Sequence, residues 1–155
     1  MRLFSTPSRL YRVLAVAEAI TWTLLLAGML LKYVLQVTDV MVRIGGGLHG
    51  FVFLAYVVVT VLVAVDQRWR ARDLLAGIGS AIVPYLTVPF ELSAQRRGLL
   101  GASWRLREEP GRSAPERLIG LALRRPVPAA LIALVGVAVV FTLLLQAGPP
   151  TEWFA

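Results

Sequence analysis

Glu18 and His49 stand inside the first and second of four long apolar stretches, and each is a residue type that can hold or pass a proton. An ionisable side chain at the centre of a bilayer costs on the order of 2.5 to 3.5 kcal/mol for the most expensive residues, so such groups are functional suspects. Glu18 has two readings. It is a proton- or cation-binding carboxylate, or it is a hydrogen-bonded acid that locks two helices through Thr60 or Tyr56. His49 has two readings as well: a relay, or a packing residue beside Gly46 and Gly50, since polar side chains also join membrane helices. Helical periodicity puts Glu18, Trp22, Leu25, Met29 and Lys32 on one face, with His49, Phe53, Tyr56 and Thr60 as a stripe on the next helix. A hairpin symmetric about residues 36–43 sets Glu18 level with Thr60, Trp22 with Tyr56 and Met29 with His49. Glu18 and His49 then differ in depth by about 16 Å at helical rise, and only a water chain connects them. Lys32 is expected to snorkel to the interface.

Other chemistries are excluded by composition. The chain has no Cys and one His, which removes thiolate nucleophiles, Cys metal sites and multi-His metal sites within one copy. A haem between His49 and Met29 would have no further support in the sequence. The expectation is no cofactor, no metal and no enzyme activity. A 57% hydrophobic composition points to a membrane protein rather than a soluble domain. Net charge is +7, carried by fifteen Arg and one Lys that flank the apolar runs. The partner implied is therefore anionic lipid, not nucleic acid. The Arg, Ala, Leu and Val bias suggests a bacterial genome rich in GC.

The elements follow from hydropathy. A span of roughly 20 apolar residues is needed to cross. The first runs from about Leu10 to Leu35, and it reads as a retained helix rather than a signal peptide. The second runs from about Val42 to Val65, with Gly46 and Gly50 at the G-x-x-x-G spacing that permits close helix approach. The third apolar run, Leu74 to Leu92, contains Pro84 and Pro89 and is read as a kinked span or a re-entrant segment. Residues 93–127 carry eight Arg and three Glu. Ser113-Ala114-Pro115-Glu116 reads as a capping box that starts a short amphipathic surface helix. Arg96, Arg97, Arg124 and Arg125 are the candidate lipid-facing cations. The fourth run, Pro128 to Leu145, is a span with Ala129, Ala133 and Gly136 as a small-residue face. Trp153 and Phe154 in the tail suit the interface.

Charge asymmetry selects among layouts. With four spans and the N-terminus inside, six basic residues lie inside and ten outside. With the N-terminus outside, the count reverses. With a re-entrant third run and the N-terminus inside, fourteen lie inside and only Lys32 and Arg43 outside. The basic loop is expected to be cytoplasmic.

The order Ala17-Glu18-Ala19, Leu31-Lys32-Tyr33, Val42-Arg43-Ile44-Gly45, Leu48-His49-Gly50-Phe51, Tyr56, Val83-Pro84 and Pro89-Phe90 resembles the YdzA-like small bacterial membrane proteins, the family of unknown function numbered 3817. The likeness covers about residues 9–92. It implies an integral membrane protein of about three spans, with Glu18, Lys32, Gly45, His49 and Gly50 at marked positions, and it implies no known activity.

The expected architecture is thus an all-α membrane bundle of three to four transmembrane helices with a Pro-kinked or re-entrant third segment. Its divisions are a family-like unit at 1–92, a basic cytoplasmic loop at 93–127 and a last helix with its tail at 128–155. The expected role is a small non-enzymatic accessory or assembly subunit of a bacterial plasma membrane, bound to a membrane protein or to copies of itself. The alternative is an oligomeric proton-linked or small-solute carrier using Glu18 and His49.

Overall fold

The computed structural model describes residues 5–147; the basic lead before Ser5 and the aromatic pair Trp153-Phe154 lie outside them. Every regular element in the described residues is helical. Helix α1 is Pro7–Met29, followed without a break by a π-turn at Leu30–Val34. Thr6 caps its start by accepting from the Arg9 N–H, with Pro7 in the first turn, where a missing donor costs nothing. Gln36 ends it in the left-handed region at φ 53°, and the Val37 N–H turns back to the Leu31 carbonyl. Helix α2 is Val40–Asp66. It ends the same way, with Arg68 at φ 53° and the Trp69 N–H on the Ala64 carbonyl.

The third apolar run is not one continuous helix. It folds as two short helices, α3 at Ala71–Ser80 and α4 at Thr87–Arg96. Ten residues rise about 15 Å, half of a hydrocarbon core. Pro84 and the left-handed Tyr85 (φ 65°) make the reversal between them. Pro89 falls in the first turn of α4, where it breaks nothing. The run therefore folds back on itself as a helical hairpin, the shape expected of a re-entrant segment. Helix α4 packs against α1 and α3 against α2, while residues 82–86 of the turn between them are exposed.

Helix α5 is Arg105–Glu108, α6 is Ala114–Arg124 and α7 is Pro126–Gln146. Ser113 caps α6 by accepting from the Glu116 N–H (3.4 Å), but the Glu116 carboxylate takes the Arg112 N–H instead of closing the box on Ser113. Three helices are long and apolar enough to cross: Pro7–Val34, Val40–Asp66 and Pro126–Gln146. Their outward faces carry Val13, Ile20, Val58, Leu131, Ile132 and Val135, all exposed. Such a surface would aggregate in water and is solvated by lipid. The polar residues Glu18, Thr21, Thr60, Ser80, Thr87 and Glu91 are inside.

All described basic residues but two lie at one end. The start of α1, the end of α2, α3 to α6 and the start of α7 gather there with thirteen Arg, while Lys32 and Arg43 lie at the end that holds the α1–α2 link.

Two glycines determine how α1 and α2 meet. A Cβ on Gly28 would collide with the backbone of Met41 and Val42, and one on Gly45 with the backbone of Leu24. Gly46 faces only the Leu25 side chain, and Gly50 faces the Phe141 ring of α7. Substituting Gly45 by Leu is expected to cost about 1–3 kcal/mol through overpacking. The same change at Gly47, which has open space around it, is expected to cost little. Thermal unfolding of the two variants in detergent checks this; equal midpoints would refute the close approach.

Candidate functional site

The register imposed by Gly28 and Gly45 differs from the symmetric hairpin. His49 lies against Thr21 and Trp22 rather than Met29, and Tyr56 lies against Tyr11 rather than Trp22. The cause is the π-turn and its left-handed exit, which carry α1 past the start of α2 before the chain reverses. Glu18 and His49 consequently approach in depth. The Thr21 hydroxyl is 2.9 Å from the Glu18 carbonyl and 3.2 Å from His49 Nδ1. It joins His49 to the backbone of Glu18, not to its carboxyl. The His49 ring lies 4.3 Å from the Trp22 ring, tilted by 50°, with Phe53 at 6.3 Å on its own helix.

Glu18 is fully buried. Its Oε2 accepts from the Thr87 hydroxyl at 3.0 Å, and its Oε1 has no hydrogen-bond partner among the described residues. The Thr87 hydroxyl is also 3.1 Å from the Ala15 carbonyl. One hydroxyl has one proton to give. An ionised Glu18 and the Ala15 carbonyl compete for it; a neutral Glu18 would end the competition by donating to Thr87. No cation is paired with this carboxyl among the described residues. Trp22, one turn on, donates its indole N–H to the Ala81 carbonyl of the α3–α4 turn at 3.4 Å.

A second polar cluster sits nearer the basic end. Tyr11 and Tyr56 join hydroxyls at 2.6 Å, and Tyr56 reaches Ser80 Oγ at 3.1 Å. Ser80 donates to the Gly77 carbonyl at 2.7 Å, so its oxygen accepts from Tyr56 and Tyr56 accepts from Tyr11. Thr60 lies 3.3 Å from the Tyr11 hydroxyl and 2.8 Å from the Tyr56 carbonyl. All four side chains are buried, so this directed chain satisfies every hydroxyl without water. Of the sequence candidates, Tyr56 and Thr60 meet here. Lys32 stands apart at the far end with its ammonium over the Tyr33 ring (5.1 Å).

The basic end is wired by carboxylates. Glu91 is buried and takes Arg12 (3.2 Å) and Gln95 (2.6 Å), which ties α4 to α1. Asp73 takes Arg97 at 2.7 Å. Arg97 is thus engaged, while Arg96, Arg124 and Arg125 are exposed. Asp66, fully buried, receives the Arg105 and Leu106 N–H groups at 3.3 and 2.9 Å and starts α5. Arg105 in return donates to the last carbonyls of α2, Asp66 at 2.7 Å and Val65 at 3.3 Å, where a cation meets the negative helix end. Glu116 closes the set with Arg105 and the Arg112 N–H, both at 2.7 Å. The Arg112 N–H, then Arg105, hold its carboxyl at about 2, below the ordinary 4.5.

Sequence reasoning missed Thr21, Thr87, Arg105 and Glu116 as organisers. Thr87 carried a usable signal: it is the one aliphatic hydroxyl between Pro84 and Pro89 in an apolar run. Among the described residues no three His, Asp or Glu gather as a metal site.

A family model for a domain of unknown function, DUF3817, matches residues 8–96. The chain belongs to the DUF3817 family. The DUF3817 unit begins in α1 and ends with α4, so it contains Glu18, Lys32, His49, Tyr56, Thr60 and Thr87 and excludes α5 to α7. The membrane-protein candidate SCO5905 of Streptomyces coelicolor is 46% identical over 97 residues, which is 60% of this chain and 12% of that protein. The chain therefore spans a small part of that relative's length. No solved structure matches.

Two outcomes are expected of the site. Thr87→Val deprives Glu18 and the Ala15 carbonyl of their shared donor, and a loss of about 1–3 kcal/mol follows from an unsatisfied buried acceptor. Thr87→Ser is expected to keep most of it; unfolding in detergent that is identical for all three proteins would remove Thr87 from the site. For Glu116 the folded carboxyl is depressed, so its contribution is complete above about 4.5 and lost as pH falls through about 2. Tryptophan fluorescence across that window should show a milder acid dependence in Glu116→Gln than in the unaltered chain.

Proposed function

We propose that the protein is a non-enzymatic accessory module of a bacterial plasma membrane, which holds a transmembrane helix of another protein against α7. The observation that carries this reading is the open side of α7. Val137 is its one buried residue among those described. A groove of about 220 Å³ runs between α2 and α7, lined by Leu54, Val58, Ala133, Gly136, Val137 and Val140. Gly136 has open space where a Cβ would stand. Apolar burial does not drive association within lipid, whereas small residues that admit a second backbone do. The polar interior is by contrast tied up within the chain, which leaves few groups for catalysis. The DUF3817 unit also matches a small share of a much longer membrane-protein candidate, as expected of a module that works attached to something else. The concentration of Arg at one end supports a cytoplasmic placement for that end.

A second reading rests on a specific observation, the unpartnered Oε1 of buried Glu18. It is an oligomeric proton-linked carrier in which Glu18 loads and His49 relays.

Purification in mild detergent from native membranes, with mass spectrometry of what co-elutes, decides between them. The accessory reading expects a stoichiometric membrane protein that is lost in Ala133→Leu/Gly136→Leu. A partner-free homo-oligomer whose pH-dependent flux in proteoliposomes vanishes in Glu18→Gln would establish the carrier instead. The orientation has its own test in this Cys-free chain. Thr38→Cys is expected to label with an impermeant thiol reagent in intact cells and Ser103→Cys to stay unlabelled; the opposite pattern would invert the molecule.

A further inference from the structure

We propose that the groove between the Pro110-Gly111 turn and α6 is a binding site for the phosphate headgroup of an anionic phospholipid. The groove encloses about 430 Å³ and is lined by Pro110, Gly111, Arg117, Gly120, Leu121 and Arg124. Arg117, Gly120, Leu121 and Arg124 follow one another at helical spacing on a single face of α6. The two guanidiniums are two turns apart, roughly 10 Å along the axis, and bracket the groove.

Both cations are available. Neither forms an ion pair among the described residues. Arg117 is steadied by donating from Nε to the Gly111 carbonyl (3.4 Å), which uses one of its five donors. Of the nearby carboxylates, Glu109 takes Arg105, and Glu116 takes Arg105, Arg68 and the Arg112 N–H, while the exposed Glu108 is paired with neither Arg117 nor Arg124. The turn is held close to the helix because Gly111 sits directly on the backbone of Glu116 and Arg117, where a Cβ would not fit.

The location selects lipid over a soluble anion. Helix α6 ends at Arg124, and after Arg125 the chain enters the spanning helix α7 at Pro126. The groove is therefore at the level where headgroups lie. Leu118 and Leu121 on α6 are 70% and 58% exposed, a pair that acyl chains would cover and water would not. Apart from the guanidiniums the lining is Pro, Gly and Leu, which suits a ligand with one anionic group and an apolar body. Two long cationic side chains that bracket the groove can both reach one phosphodiester, whose negative charge they attract.

Native mass spectrometry of the full chain, released from detergent with phosphatidylglycerol or phosphatidylcholine added, tests the site. Phosphatidylglycerol is expected to stay bound in preference to phosphatidylcholine. Arg117→Gln/Arg124→Gln should lower its retention by roughly thirtyfold, as two interfacial cations would imply. Arg117→Lys/Arg124→Lys, which keeps the charge, should retain it, as should Arg9→Gln/Arg70→Gln with the groove intact. Equal retention of the two lipids overturns the proposal, as does a Gln pair that binds normally or a Lys pair that loses the lipid along with it. Displacement by an equal concentration of inorganic phosphate also overturns it, by making the ligand a soluble anion.

Discussion

The backbone contact between α1 and α2 at Gly28 and Gly45 is the constraint on which the other arrangements depend. Two helices this close cannot slide, because any side chain at either position would strike main chain rather than a movable neighbour. The lock determines which residues share a level. It brings His49 to Thr21 and Trp22, and Tyr56 and Thr60 to Tyr11. It also aligns the ends, so that the close of α2 stands beside the opening of α1 and the α3–α4 hairpin can rest on both. In lipid this kind of contact matters more than apolar area, since lipid tails are as apolar as the side chains they would replace.

The polar groups inside the bundle obey a second requirement. Without water, each hydroxyl and carbonyl must find its partner in the chain. The Tyr11-Tyr56-Ser80-Gly77 chain meets this fully, with each hydroxyl passing its proton bond onward. The hairpin between α3 and α4 is part of that solution, because Ser80 and Thr87 flank its turn and pair with Tyr56 and Glu18. Glu18 is the exception. Thr87 satisfies one oxygen and leaves the other bare. A structural acid would need nothing more than the first bond, whereas a bare buried oxygen is where a proton or a second donor would go.

At the basic end, the many Arg do two different jobs. Arg12, Arg97 and Arg105 are committed to Glu91, Asp73 and Glu116, and they assemble the segments that follow α2. Arg105 is the hinge of this assembly, since it reads both the end of α2 and the carboxylate of α6. Arg96, Arg117, Arg124 and Arg125 have no such obligation to carboxylates among the described residues, and they are the charge that the molecule presents outward. Net charge alone does not separate the two sets.

Hydropathy and charge were enough to read an all-α membrane protein, its spans near residues 10–35, 42–65 and 128–145, and a third run that its prolines make either a kinked span or a re-entrant segment. These are legible because a bilayer imposes length and polarity rules on each segment independently of its neighbours. The rare ionisable residues Glu18 and His49 were legible for the same reason, as was the capped start of α6 at Ser113. Partners were not. Symmetry about the link put Met29 beside His49, since a five-residue π-turn and one left-handed Gln36 leave almost no trace in composition. Gly46 and Gly50 drew attention by their spacing, yet Gly28 and Gly45 take the backbone contact, because which glycine faces a neighbour depends on the rotation of both helices. Sequence by itself determined the solvent, the helices and the suspects. Tertiary structure decided the register, the pairing of Glu18 with Thr87 and the division of the arginines, since those depend on distances between residues that lie tens of positions apart in the chain.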